Sequence, residues 1–363
     1  DGAIPLEAHV KKLDLLGFSV SRKVKSSPEP DARIWRWASA LTYRPQDVRV
    51  PCLMITGWWD NYPDEIIQTF EDIVKRGGPK AQASSKLLMG PWDHVSVGLA
   101  KQGDTTFPGA ALASAHAAKA FFDYHLRDLR NGWEQMPRVR YWQCGAEKWC
   151  QAELWSSVKR REQVLTLSPG RIDLAGKSNA TRADLSYSYD PKHPPPTLGG
   201  ANLPPMKHGP KRQNGLLPRK DLLVYRTAKL AAPLELNGTA ALTFQFSCNR
   251  VDCDFTARLC DDRPNGDLIL VGDAAQRAKF RNGRAQLLKP GQTYDITLTF
   301  PANAYTFCKG HQLTLILASG NHPRYERNSH TGSDAWDAKT ALDLDVTIHH
   351  GPDTPALLTL PCR

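Results

Sequence analysis

The sequence predicts two architectures in one chain, a doubly wound parallel α/β sheet followed by an all-β sandwich of jelly-roll type. Two observations carry this expectation. Between residues 46 and 156, apolar strand-like runs alternate with helical patterns, as in a parallel sheet covered on both faces. From 157 to 363 the long helical runs vanish, and short segments of period-two alternation take over between turn signals.

The elements follow in order. Residues 1–45 are mixed and helical in flavour, with Trp35 and Trp37 close together. Val50 to Gly57 is a short apolar run with Pro51 near its start and reads as a buried strand. Pro63 to Arg76 sets Ile66, Phe70, Ile73 and Val74 at helical spacing. Pro63 suits the first turn, and Gly77-Gly78-Pro79 stops the helix. A second buried strand spans Lys86 to Met89 and ends in Gly90-Pro91. A helix fits Ala111 to Leu129, closed by Asn131-Gly132, and Val139 to Gln143 is a third strand.

In the β-rich part, Leu242, Phe244 and Phe246 share one face, as do Phe255, Ala257 and Leu259. Tyr294, Ile296, Leu298 and Phe300 repeat the pattern, and so do Leu344, Val346 and Ile348. Asn265-Gly266 and Asn282-Gly283 read as hairpin turns. The Pro-rich stretch Pro191 to Pro218 reads as a long ordered excursion within or onto this domain.

Composition narrows the functional classes. Hydrophobic residues at 41% and charged residues at 23% are ordinary for a globular protein. No run approaches the roughly 18 apolar residues of a membrane span, so no membrane partner is expected. No basic-then-apolar leader is visible at the start of the sequence. The net charge of +10 is scattered, and its nearest block is Lys207, His208, Lys211, Arg212, Arg219 and Lys220. Set among Pro and Gly, that block reads as a solvated basic loop rather than a phosphate patch, and no nucleic-acid partner is expected.

Eight cysteines do not make a disulfide framework in a chain of 363 residues. Cys144 and Cys150 flank a hairpin-like tip that a local disulfide could staple. Cys248, Cys253 and Cys260 lack CxxC spacing and a neighbouring His, so they read as buried thiols and not zinc ligands. The redox compartment stays undecided, with secretion or the periplasm favoured over the cytoplasm. Asn179-Ala-Thr181 and Asn237-Gly-Thr239 match the glycosylation sequon.

In a doubly wound sheet, functional side chains sit just past the C-terminal ends of strands. Asp60 follows the strand ending Gly57-Trp58-Trp59, and His94 follows Gly90-Pro91-Trp92-Asp93. Parallel neighbours would put both on one rim, where a carboxylate can hold an imidazole in its proton-accepting tautomer. The order Asp then His suits a hydrolase whose nucleophile comes earlier. Against this, a rim Asp three residues before Pro63 can cap the next helix, and His94 can be a loop histidine bonded to backbone. His116 and His125 read as helix packing or surface residues. His349 and His350 have no acidic partner at a recognisable spacing. There is no G-x-S-x-G: Ser114 lies within a helix and Ser333 in the β-rich half, so no nucleophile elbow is present in these residues.

These segments carry a resemblance. VPCLMITGWWD, LLMGPWDH, AKAFFDYHLRDL, VRYWQCGAEKWCQAELW and the long β-rich text from DLLVYRTAKL to IHHGPDTPALLTLP resemble, in order, the C-terminal portion of the cocaine esterase-like serine acyl hydrolases. That family is related to the Xaa-Pro dipeptidyl-peptidases and the α-amino acid ester hydrolases. The resemblance implies the C-terminal half of an α/β-hydrolase sheet, part of a helical cap and a jelly roll. It divides the chain into 1–45 as cap tail, 46–156 as α/β-hydrolase and 157–363 as β-sandwich. It maps the triad aspartate onto Asp60 and the triad histidine onto His94, with the serine and the oxyanion tyrosine upstream of this sequence. Tyr62 and Leu203 fall where family members line the substrate pocket. Asn61-Tyr62-Pro63 stands where the α-amino acid ester hydrolases place acidic residues, which counts against that activity. Trp58, Trp59 and Trp92 are expected in the core beside the strands.

The implied reaction is two-step acyl transfer on a small-molecule ester or amide, with neither metal nor organic cofactor. Two explanations suit the missing serine: an N-terminal partner chain carrying it, from a precursor cut in two, or a sequence lacking its first half. The exposed edge that half a parallel sheet would leave favours the partner chain, and a homo-oligomer is a further possibility. Alternatives are a Xaa-Pro dipeptidyl-peptidase-like activity, or a jelly-roll binding module on an inactive scaffold.

Overall fold

The computed structural model describes residues 44–176, 182–333 and 337–363. The expected cap tail with Trp35 and Trp37, and the sequon at Asn179, lie outside the described residues apart from Arg44 and Pro45. The first sheet is built from β1 (Leu53–Trp59), β2 (Lys86–Asp93), β5 (Val139–Gln143) and β6 (Lys148–Ala152), in that spatial order. Between β2 and β5 stand a two-residue hairpin, β3 (Lys101–Gln102) and β4 (Thr105–Thr106). β1, β2 and β5 run parallel, and β6 turns back antiparallel on β5.

Helix α1 (Pro63–Arg76) has the predicted bounds. Pro63 starts it, Asp64 and Glu65 face the positive end of its dipole, and Lys75 and Arg76 face the negative end. It buries Ile67, Phe70 and Ile73 against the sheet side of the core, with Ile66 and Val74 partly covered. A short helix α2 (Pro79–Ser84) leads into β2, and α3 (Ala113–Arg127) into β5.

Glu71 is a buried acid on the inner face of α1. Its carboxylate accepts the N–H and hydroxyl of Ser156, at 2.7 and 2.8 Å, and an ion pair from Lys75 at 2.9 Å. Burial pushes its pKa up, but the Lys75 and Ser156 hydrogen bonds outweigh that and hold it below the ordinary value of 4.5. A carboxylate held low contributes stability above its unfolded pKa and loses it as pH falls through the folded one. Glu71→Gln is therefore expected to cost about 1–3 kcal/mol at neutral pH. The gap to the parent should narrow as the pH drops below the usual glutamate range. Urea unfolding of both proteins across that range checks it, and a gap independent of pH would contradict the account.

Among the described residues beyond 160, thirteen strands join into one hydrogen-bonded set, almost wholly antiparallel. The strand Ala241–Cys248 alternates as predicted, with Leu242, Phe244 and Phe246 buried. Phe255 meets both phenyl rings, with centroids 5.1 and 4.7 Å away. In Asp254–Asp262 the alternation is lost, because both faces are buried. The Pro-rich excursion covers the second face: Arg258 donates to Pro196 O, and Thr197 reaches Asn321 O. Among the described residues no helix is long and apolar enough to cross a membrane.

Several expectations are corrected. Asn265-Gly266 does turn Asp254–Asp262 into Leu268–Arg277, but Asn282-Gly283 joins no hairpin. Tyr294–Thr299, which follows it, pairs with Ala241–Cys248 instead. The Cys144–Cys150 disulfide is absent and all eight cysteines are free. Cys150 lies opposite Tyr141, while Cys144 leaves the hairpin to exchange backbone bonds with Ala304 and Thr306 of the β-rich part. Asn237 is fully buried in the strand Leu234–Gly238, where no glycan could be attached.

Candidate active site

Register brings the two candidate residues together. Gly57 lies beside Gly90 and Trp59 beside Asp93, so Asp60 and His94 leave the sheet side by side. The ladder skips one extra residue on β2 around Pro91, which has no N–H to offer. Only glycine fits at Gly57, because a Cβ there would lie 2.2 Å from the Trp92 carbonyl oxygen. The strand predicted to stop at Met89 runs on to Asp93, with all eight residues buried. The bulge lets Gly90-Pro91 stay extended beside β1, and His94 becomes the first residue past the strand.

Asp60 is nearly buried and all its contacts are donors. Oδ1 accepts His94 Nδ1–H at 2.8 Å and the Asn61 N–H at 2.6 Å; Oδ2 accepts the Thr56 hydroxyl at 3.1 Å. It does not cap α1, whose N-cap is Tyr62 with no side-chain bond. An ionised carboxylate can only accept, so Nδ1 carries the proton and Nε2 is left with its lone pair. The His94 side chain is 49% exposed, and Nε2 has no hydrogen-bonding partner among the described residues. Chemically, the pair is an oriented base open on one side.

The other residues singled out in the sequence have the following surroundings. Tyr62 stands two residues after Asp60 and is 56% exposed. Leu203 is 42% exposed on the Pro-rich excursion, with no hydrogen bond or ion pair to the histidine. Trp58, Trp59 and Trp92 are buried core residues, as expected. His125 packs among Phe121, Tyr124 and Trp133. His349 does have an acid partner, Asp184 at 3.0 Å, but it comes from a segment 165 residues earlier in the chain and the pair lies in the β-rich part.

Sequence reasoning missed Thr56 and Asp93. Thr56 sits four residues before Asp60 and Asp93 directly before His94, so their only local signal was adjacency. It also misread the basic loop. His208 Nδ1 lies 2.7 Å from Asp93, and Lys211 pairs with Asp104 at 2.9 Å. Arg212 pairs with Asp267 at 2.6 Å. The segment is anchored at these three points by acids 55 to 115 residues away in sequence, while Lys207, Arg212 and Lys220 stay exposed. Among the described residues, no three His, Cys, Asp or Glu side chains converge as a metal site would require.

Comparison with known proteins identifies the family. Residues 8–96 match the X-Pro dipeptidyl-peptidase (S15 family), and residues 131–359 match the X-Pro dipeptidyl-peptidase C-terminal non-catalytic domain. The chain is 31% identical over 345 residues to the cocaine esterase of Rhodococcus sp. (strain MB1 Bresler), covering 90% of this chain. It spans 58% of that esterase's length. Two solved structures share the fold across 99% of the chain. One is an α-amino acid ester hydrolase, with TM-score 0.83, 22% identity and 63% of its length covered. The other is an aminopeptidase from a marine sediment Thaumarchaeota archaeon, with TM-score 0.82, 19% identity and 62% covered. The fold is that of an S15 α/β hydrolase with a C-terminal β domain, and the chain belongs to the cocaine esterase-like S15 serine hydrolases, a family of esterases and peptidases.

Proposed function

We propose that Asp60 and His94 are two members of a Ser-His-Asp triad that cleaves an acyl ester, with the serine supplied from outside these 363 residues. The observation that carries this reading is the Asp60–Nδ1 bond of 2.8 Å, which leaves Nε2 free on the exposed side. Nε2 takes the serine proton as the oxygen bonds to the acyl carbon. The imidazolium, stabilised by Asp60, then protonates the departing alcohol as the old ester bond breaks. Water repeats the sequence and releases the acid. Tyr62 and Leu203 would line the acyl pocket. Ester is preferred to amide because the relative at 31% identity is an esterase.

Two features support a complementary segment or partner chain. β1 is the edge of the first sheet, with a free parallel edge among the described residues. Val95 and Leu99 on the loop after His94, and Leu112, Phe122 and Leu126 on or beside α3, are exposed apolar side chains. The two groups meet where the Leu112 N–H bonds Gly98 O. The antiparallel ladder beyond residue 160 supports reading the β domain as a jelly roll, with the division near residue 157.

Intact-mass analysis of the complete protein with a fluorophosphonate tests the reading. One adduct is expected, on a serine outside residues 1–363, and it should vanish in His94→Ala. An adduct on a serine within these residues, such as Ser114, would overturn the location of the nucleophile. No adduct at all would overturn the triad.

A further inference from the structure

We propose that the Asp93–His208 pair is a clamp through which the β domain positions His94, which makes His208 a positioning residue for the reaction; this rests on the triad reading above. Asp93 directly precedes His94 and is fully buried. Both of its carboxylate oxygens are committed. Oδ1 accepts the N–H groups of Val95 and Ser96 at 3.0 and 2.8 Å, which bends the chain immediately after His94. Oδ2 lies 2.7 Å from Nδ1 of His208, 115 residues downstream. Gln102 closes the turn from behind. Its Oε1 accepts the Asp93 N–H at 3.0 Å, and its amide donates to Ser96 O and Leu99 O.

The strap that carries His208 is seated on the same loop at further points. Asp104 accepts Lys211 Nζ and the Arg212 N–H, both at 2.9 Å, and donates its own N–H to Pro210 O. A Cβ on Gly209 would sit 3.0 Å from both Asp93 Oδ2 and Gly103 N, so glycine is what allows the two backbones to meet there. The strap is itself tied to the β-domain frame. Gly200 and Gly209 exchange two backbone bonds at 2.9 Å, and Asn202 donates to Gly199 O and Lys207 O. Arg324 holds Asn202 Oδ1 at 2.9 Å and Asp273 at 3.0 Å.

A carboxylate shut away from water keeps its orientation only while each oxygen has a donor. Without the His208 donor, Asp93 must turn or admit water, and the Val95–Ser96 turn loosens with it. His94 is the residue that turn carries, so its angle to Asp60 and to the serine shifts, while Leu203 stays in place through Asn202, which is held by Gly199 O, Lys207 O and Arg324. Asp93 lies within the residues that match the S15 family, and His208 within those that match the domain described as non-catalytic. Through His208 the second domain would thus act on kcat by a contact that is itself remote from substrate.

The test uses the complete protein with its serine. His208→Ala should lower kcat about 10–100-fold while KM moves by about twofold or less, the pattern of a misplaced catalytic group. His208→Asn places an amide donor where Nδ1 stood and should recover most of the loss. Hydrogen exchange gives a readout independent of catalysis: the Val95 and Ser96 amides should exchange faster in His208→Ala and as in the parent in His208→Asn. Unchanged kcat, unchanged exchange, or an asparagine variant as impaired as the alanine one would each overturn the clamp. A fully active His94→Ala would instead overturn the triad reading, whatever the exchange shows.

Discussion

Replacing His94 with alanine is expected to lower kcat of the complete enzyme by about 10⁵–10⁶-fold, with little change in KM. In the proposed triad the imidazole would move a proton in every step, from serine, to the alcohol, from water and back to serine. What survives is the contribution of binding and of the oxyanion site, which the variant leaves in place. The side chain is half exposed and has one hydrogen bond, so folding stability should stay within about 0.5 kcal/mol of the parent. Steady-state kinetics on a chromogenic ester, paired with a urea melt, separates the two effects. A kcat within tenfold of the parent, by the same arithmetic of triad loss, would remove His94 from the mechanism.

Asp60→Asn should cost on the order of 10⁴ in kcat, although the residue is nearly isosteric. An amide nitrogen turned toward Nδ1 offers a donor where the ring needs an acceptor. The proton then moves to Nε2, and the base points a proton at the serine. If the amide turns its oxygen to Nδ1 instead, the tautomer survives but the negative charge that stabilises the imidazolium is gone. Either way the loss falls on kcat. Asp60→Ala differs, because it also strips the acceptor from the Thr56 hydroxyl and the Asn61 N–H. It should therefore add about 1–3 kcal/mol of destabilisation, part of which the asparagine variant avoids because it keeps one acceptor oxygen. An asparagine variant with near-parental kcat would show that Asp60 only shapes the loop.

The contrast between Glu71 and Asp93 shows what kind of information each level holds. Glu71 lies on the helix Pro63–Arg76 that periodicity predicts, and its ion pair with Lys75 is four residues away. Its link to Ser156 spans 85 residues and was invisible. Asp93 read as one more letter before a candidate histidine. Its function in the turn comes from a short local bond, but its burial comes from a strap that charge patterning had assigned to solvent.

Local order was enough to determine that β1, α1, β2, α3 and β5 alternate, and that Asp60 and His94 stand just past two strands. Period, helix caps and breakers act over a few residues, and each leaves its mark within that span. Adjacency of the strands, and with it the 2.8 Å bond between Asp60 and His94, was decided only by the parallel register that Gly57 permits against Trp92. The same holds for the Asp93–His208 contact, the free Cys144 and the burial of Asn237. Such pairings join segments many tens of residues apart, where a hydrogen bond imposes no periodicity on either one.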